Sequence, residues 1–163
     1  MSTTTEDGYA ATYPEQDSAV TAEMKTMLTN FYRTSDRAEA NEEWIDYFTQ
    51  DARVIMDGEE AVGKEEIREL RRKMWTKARE RKHSVARVFP GRFDAEGDWE
   101  AMLMGEVRLR IGEGDESLVT AVVPWAAHAV LRREGDGQWR FARYRVWLQW
   151  HGSASRWVGE TGS

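Results

Sequence analysis

The feature that most constrains this chain is a change of hydrophobic period partway along it. From Ser18 to about Arg33, apolar side chains at Val20, Met24, Met27, Leu28 and Phe31 recur every three or four residues, as on one face of a helix. Trp44, Tyr47 and Phe48 mark a second, short helix, and ARVIMDGEEAVG carries the alternation and the Asp-Gly pair of a small hairpin. After Gly63 the stripe Ile67, Leu70, Met74, Trp75 and Ala78 runs between charged residues as a third helix. From His83 onward the period is two. SVARVFPGRF, WEAMLMGEVRLRI, LVTAVVPWAAHAVLRR and QWRFARYRVWLQW are four strand candidates, separated by DAEGD, GEGDES and EGDG. Helices first, then long strands on short turns, predict an α+β domain with a curved antiparallel sheet.

A chain of 163 residues suits one such domain. It is expected over residues 18–151, with the small, polar stretches 1–17 and 152–163 as flexible tails, Trp157 being the exception in the second. With no cysteine there are neither disulfides nor thiolate chemistry. A net charge of -6 argues against broad attraction to nucleic acid or an anionic membrane. The N-terminus lacks a secretory pattern and no segment reaches the roughly 20 apolar residues of a membrane helix, so a cytoplasmic location is expected. The run IRELRRKMWTKARERK is interrupted by Glu69 and Glu80 and reads as a solvated helix face, some of its arginines flanking a binding site where they would attract an anionic substrate. His83, His128 and His151 are far apart with no metal-ligand spacing, and there is no phosphate loop or serine elbow. Neither metal nor organic cofactor is expected.

The order helix, helix, hairpin, long helix, four strands resembles the SnoaL-like proteins of the nuclear transport factor 2-like superfamily over about residues 19–150. The text that carries this is FYRTSDRAEANEEWIDYFTQDARVIMDG, VGKEEIREL, RKHSVARVF and DGQWRFARYRVWL. It is most similar to small stand-alone members found among fungal secondary-metabolism enzymes. The resemblance implies a sheet curled around three helices into a cone, open at one end to a pocket. It leaves the reaction open, because that superfamily holds isomerases, cyclases, dehydratases and proteins without catalysis.

Similarity to the scytalone dehydratases of this superfamily implies a set of site residues. His128, within the apolar run AVVPWAAHAVL, falls where they place a pocket asparagine, which puts it on the concave face with Ala126 and Val130. His83 falls on their catalytic histidine, and Asp36 on the acid that orients it by fixing the tautomer. A packed core histidine, a helix-end histidine and a turn aspartate are the plainer readings of the three. Their second catalytic histidine has no counterpart, Ile111 or a neighbour occupying that site. Ser35 and Asp57 stand where they have tyrosines. Asp57 is an alternative base of the kind ketosteroid isomerases use, in an Asp-Gly context that equally suits a turn. Tyr32, Trp75 and Tyr144 are expected as pocket walls. By the same parity Trp125 and Trp147 would lie on the convex face and form a homodimer interface.

The expectation is a cofactor-independent isomerase, cyclase or dehydratase moving protons on a hydrophobic, carbonyl-bearing small molecule, polyketide- or terpenoid-like. The alternatives are a non-catalytic ligand-binding or dimerisation module of the same fold, and an accessory subunit of a larger enzyme.

Overall fold

The computed structural model describes residues 7–15, 20–93, 98–112 and 117–150. Helix α1 (Ala22–Ser35) starts where the Thr21 hydroxyl accepts from the Met24 N–H at 3.2 Å. It buries Met24, Leu28, Phe31 and Tyr32, the i, i+4, i+7, i+8 stripe. Phe31 packs on Phe141 at 4.6 Å and Tyr32 stacks on Trp125 at 5.2 Å, which seats the helix across the inner face of the sheet. Helix α2 (Asn41–Ile45) is one turn long and buries Trp44 and Ile45. Strands β1 (Phe48–Met56) and β2 (Glu59–Val62) form the expected hairpin. Asp57 and Gly58 both take positive φ, +48° and +94°, the pair of angles that a tight two-residue turn between right-twisted strands requires. Helix α3 (Gly63–Lys77) packs on β1 through Ile67, Leu70 and Met74.

The remaining strands are β3 (Ala78–Gly91), β4 (Trp99–Ile111), β5 (Val119–Arg133) and β6 (Trp139–Leu148). They make one six-stranded sheet in the order β2-β1-β6-β5-β4-β3, antiparallel except where β1 runs parallel to β6. The α+β reading holds. Three boundaries differ from expectation. Of the residues expected in the second helix only Trp44 lies in it, since α2 ends at Ile45 and Phe48 opens β1. The charged run ARERK is strand rather than helix, because Glu80, Arg81 and Lys82 pair with Arg110, Leu109 and Arg108 of β4, and a full ladder outweighs the few tenths of a kcal/mol per residue by which such residues favour helix. The first 17 residues are not all tail. Asp7–Glu15 runs along β3, with Val85 N–H donating to the Gly8 carbonyl, Thr12 N–H to that of Ala86 and Val88 N–H to that of Thr12, and Tyr9 is buried there. The second tail lies outside the described residues.

Face parity is where the sequence misled. On β5 the buried residues are Val123, Trp125, Ala127, Ala129 and Leu131, so Trp125 faces the helices and His128 faces out. The resemblance places them the other way; the unbroken pairing of Ala129 with Tyr144, His128 with Arg145 and Ala127 with Val146 sets the observed faces, and the one register shift on this ladder lies beyond it, between Val130 and Leu131.

Candidate active site

Asp36 is the C-cap of α1, and its carboxylate, 5% exposed, meets two donors of His83. The His83 backbone N–H donates to Oδ2 at 2.7 Å, and the ring Nδ1 lies 2.6 Å from Oδ1. With the carboxylate as acceptor the ring proton sits on Nδ1, and Nε2 keeps its lone pair. His83 lies well inside β3, not at a helix end, with its ring 5.3 Å from that of Tyr32 and 5.8 Å from that of Trp125.

What holds Asp36 in place is Arg71 of α3. Its Nη1 and Nη2 donate to the carbonyls of Ser35 and Arg37 at 3.3 and 2.7 Å, and its Nε to Asn41 Oδ1 at 2.8 Å. The carbonyls that a helix end leaves without partners are thereby satisfied on both sides of Asp36. Burial lowers the Arg71 pKa to about 10, while Asp36 and Glu39 act to raise it. Tyr9 closes the far side. Burial, then the Asp36 carboxylate, pushes its hydroxyl above the usual tyrosine range, and Lys82 lies over its ring at 3.5 Å.

His83 borders an inner cavity of about 30 Å³ together with Ser35, Arg81, Trp125, Tyr144 and Met74. That is room for one or two waters, far short of the roughly 300–1,000 Å³ of an ordinary small-molecule site. Tyr32, Phe31, Phe48 and Phe141 occupy the rest of the interior. Tyr144 and Tyr32 share a hydroxyl–hydroxyl hydrogen bond of 2.9 Å, and burial raises both pKa values, so both stay protonated around neutral pH. The Trp125 indole N–H is buried with no hydrogen-bond partner among the described residues.

Of the residues expected at the site, the structure brings together His83, Asp36, Tyr32 and Tyr144. Trp75 sits one layer out, its ring beneath the Arg81 guanidinium at 4.3 Å. Asp57 lies in the β1–β2 turn and accepts from Trp150 Nε1 at 3.1 Å, away from the cavity. His128 is on the outer face, where its Nε2 lies 2.9 Å from Glu100 Oε2. Two residues at the site, Arg71 and Arg81, are not singled out individually by the sequence; they belong to the basic run read as a solvated helix face with some arginines flanking the site, and both are buried. Arg81 shares the inner face of β3 with His83 at the i, i+2 spacing, a signal that becomes readable once ARERK is taken as strand.

The outer face carries its own groove, about 550 Å³, lined by Phe89, Met102, Met104, Pro124 and Trp147. Among the described residues no group of three or more His, Asp or Glu could hold a metal ion, and no helix is long and apolar enough to cross a membrane.

No protein-family profile and no curated protein sequence matches the chain. Solved structures do. A candidate scytalone dehydratase of Novosphingobium aromaticivorans superposes with a TM-score of 0.66 at 16% identity, covering 86% of this chain and 93% of the other. A ketosteroid isomerase-like protein of Erwinia carotovora gives 0.60 at 19% identity over 77% and 92%. Nuclear transport factor 2 of Cryptosporidium parvum gives 0.63 at 13% identity over 77% and 90%. At these identities the likeness establishes the fold, that of the nuclear transport factor 2-like cone, and the chemistry has to be argued from the residues.

Proposed function

We propose that this protein is a cofactor-independent acid–base enzyme, an isomerase, cyclase or dehydratase of secondary-metabolism type, acting on a carbonyl-bearing small molecule of polyketide- or terpenoid-like character. The observation that carries this reading is the buried Asp36 gripping both the backbone and the ring of His83 on the wall of the inner cavity. A carboxylate on Nδ1 fixes the tautomer and stabilises the imidazolium that forms when Nε2 takes a proton. His83 is the base and Asp36 its positioning residue. The proton leaves a carbon next to a carbonyl, its bonding pair moves into a carbon–carbon double bond, and the carbonyl electrons move onto oxygen. His83 then returns the proton elsewhere on the same skeleton or to a leaving hydroxyl. In this reading Tyr144, hydrogen-bonded to Tyr32 at 2.9 Å, donates to that oxygen. His128, on the outer face, is no longer part of the proposed catalytic set.

The experiment is deuterium exchange. The protein is incubated in D₂O with a panel of small ketones, β-keto acids and β-diketones, and loss of the α-proton is followed by NMR. His83→Asn should slow exchange of any accepted compound on the order of 10²-fold or more, the usual worth of a positioned base, and His128→Asn should leave it within about twofold. Equal rates in wild type and His83→Asn would sink the assignment.

The small cavity favours a second reading, a binding module of the same fold whose interior is filled by its own side chains. The outer face supports a further proposal, homodimerisation. Phe89, Met102, Met104, Val122 and Trp147 are exposed on the outer strands, and clustered exposed apolar side chains of this kind mark interaction surfaces. Trp147 is exposed in that cluster, whereas Trp125 is buried and stacks on Tyr32.

A further inference from the structure

The acid–base reading gives Trp125 no role. Its ring is fixed on three sides. It stacks on Tyr32 at 5.2 Å, stands edge to face against His83 at 5.8 Å, and lies so close to β4 that a Cβ on Gly105 would come within 2.9 Å of its Cζ2. Trp125 is only 4% exposed, and it borders the inner cavity together with His83 and Tyr144. Its Nε1–H is buried and meets no hydrogen-bond partner among the described residues. A buried donor costs free energy until an acceptor reaches it, so this N–H is a group made ready for a ligand atom.

The other groups on that wall narrow what the ligand atom is. The Ser35 hydroxyl is committed, donating to the Phe31 carbonyl at 2.8 Å and accepting from Trp44 Nε1 at 2.9 Å. The Arg81 guanidinium lies over the Trp75 ring at 4.3 Å. When Tyr32 donates in its hydroxyl–hydroxyl bond with Tyr144, the Tyr144 proton is left for another acceptor. Among the described residues no carboxylate lines the cavity. The wall therefore presents donors, Trp125 and Tyr144, beside the lone pair of His83 Nε2. A carbonyl with an acidic α-hydrogen matches that set, its oxygen to the donors and its hydrogen to the base. The volume, about 30 Å³, admits one unhindered carbonyl end and excludes a ring.

We propose that the Trp125 indole N–H is a catalytic donor that, with Tyr144, holds the substrate carbonyl oxygen beside His83, and that the end of the substrate entering the cavity is an aldehyde or a methyl ketone. The catalytic meaning rests on the acid–base reading, whereas carbonyl binding itself needs no turnover. As His83 takes the α-proton, negative charge gathers on the oxygen and the hydrogen bond from Nε1 strengthens. Trp125 thus contributes more in the transition state than in the ground state. The indole always carries its proton, so its contribution does not vary with pH.

The probe is butanone, with diisopropyl ketone as a carbonyl too hindered to enter. Proton–nitrogen NMR follows the indole N–H signals of the eight tryptophans, and the signal lost in Trp125→Phe identifies Trp125. Butanone should move that signal downfield and saturably, and diisopropyl ketone should leave it in place. In D₂O, Trp125→Phe should slow exchange of the butanone α-protons about 10²-fold at saturating ketone, the usual worth of one oxyanion donor, and keep the shape of the pH profile. Trp147→Phe, which removes an indole N–H from the exposed outer face, should change neither readout. Should Trp125→Phe fold poorly, 3-benzothienylalanine at the same position keeps the shape of the ring, lacks the N–H and should slow exchange equally. A Trp125 signal that stays silent up to the highest butanone concentration at which the protein remains folded, an equal response to diisopropyl ketone, or wild-type exchange in the Trp125 variants would overturn the proposal. A saturable Trp125 shift in a protein with no exchange activity would uphold the carbonyl site and count against the acid–base reading. Exchange that depends on His83 but is indifferent to Trp125 would do the reverse.

Discussion

Asp36→Asn is the perturbation whose size the structure specifies best. The carboxylate accepts two short hydrogen bonds from one residue, at 2.7 and 2.6 Å, in a site where the side chain is 5% exposed. Hydrogen bonds to a charged group contribute about 1.5–3 kcal/mol each, and an amide that keeps one acceptor recovers about 1 kcal/mol of that. The net loss is about 2–5 kcal/mol. For a domain of this size, that lowers Tm by about 4–20 °C. His83→Asn removes only the ring bond and leaves the backbone N–H in place, so it should cost less. A double-mutant cycle between the two positions should give a coupling of about 1.5–3 kcal/mol. Urea melts of the four proteins measure it. The chemistry should change as well, because an amide can offer N–H to Nδ1 and move the ring proton to Nε2, which ¹⁵N shifts of the His83 ring report directly. A destabilisation under about 0.5 kcal/mol with no coupling would refute the idea that this pair holds the site together.

Two other substitutions probe what surrounds it. At Gly105, a Cβ would stand 2.0 Å from the Ser84 carbonyl oxygen and 2.9 Å from the Trp125 ring, so Gly105→Ala must push β3 from β4 next to His83; a loss of about 3 kcal/mol is expected by urea denaturation, and wild-type stability would contradict the close approach. If the outer face joins two copies, solution scattering of the wild type at micromolar concentration should report twice the chain mass and Trp147→Glu should report one, while a monomeric wild type rules the interface out.

The sequence exposed the order of elements because each left a local mark: the 3.6-residue stripe of α1, the Asp-Gly of the hairpin, the two-residue alternation of the long strands. The dyad leaves none. Asp36 and His83 are 47 residues apart, and only the family resemblance paired them. His128 illustrates a different limit. Strand assignment by alternation needs one polar face, and in AVVPWAAHAVL both faces are apolar, since Val122, Pro124, Ala126 and Val130 border the outer groove or its surroundings while Val123, Trp125, Ala127 and Ala129 fill the core. With no alternation to fix parity, only the family resemblance assigned His128 a face, and the pairing of Ala129 with Tyr144 and of His128 with Arg145 gives it the opposite one.

Arg81 was hidden for a related reason. The junction between α3 and β3 has no glycine or proline, and Ala78, Arg79, Glu80, Arg81 and Lys82 all favour helix, so nothing local announces the change of period at Ala78. Read as helix, Arg81 and His83 lie about 200° apart and point to opposite sides. Read as strand, they share a face. The single backbone decision at Lys77 therefore determines whether the most basic stretch of the chain is an exposed surface or the source of a buried cation beside the proposed base. A proline placed at Arg79 tests that decision without touching the site's side chains. In a helix it would break the run by about 3 kcal/mol, whereas at this exposed position, itself the extra residue between the Ala78 and Glu80 pairings, it should cost under about 1 kcal/mol by urea denaturation, and a loss near 3 kcal/mol would contradict the strand.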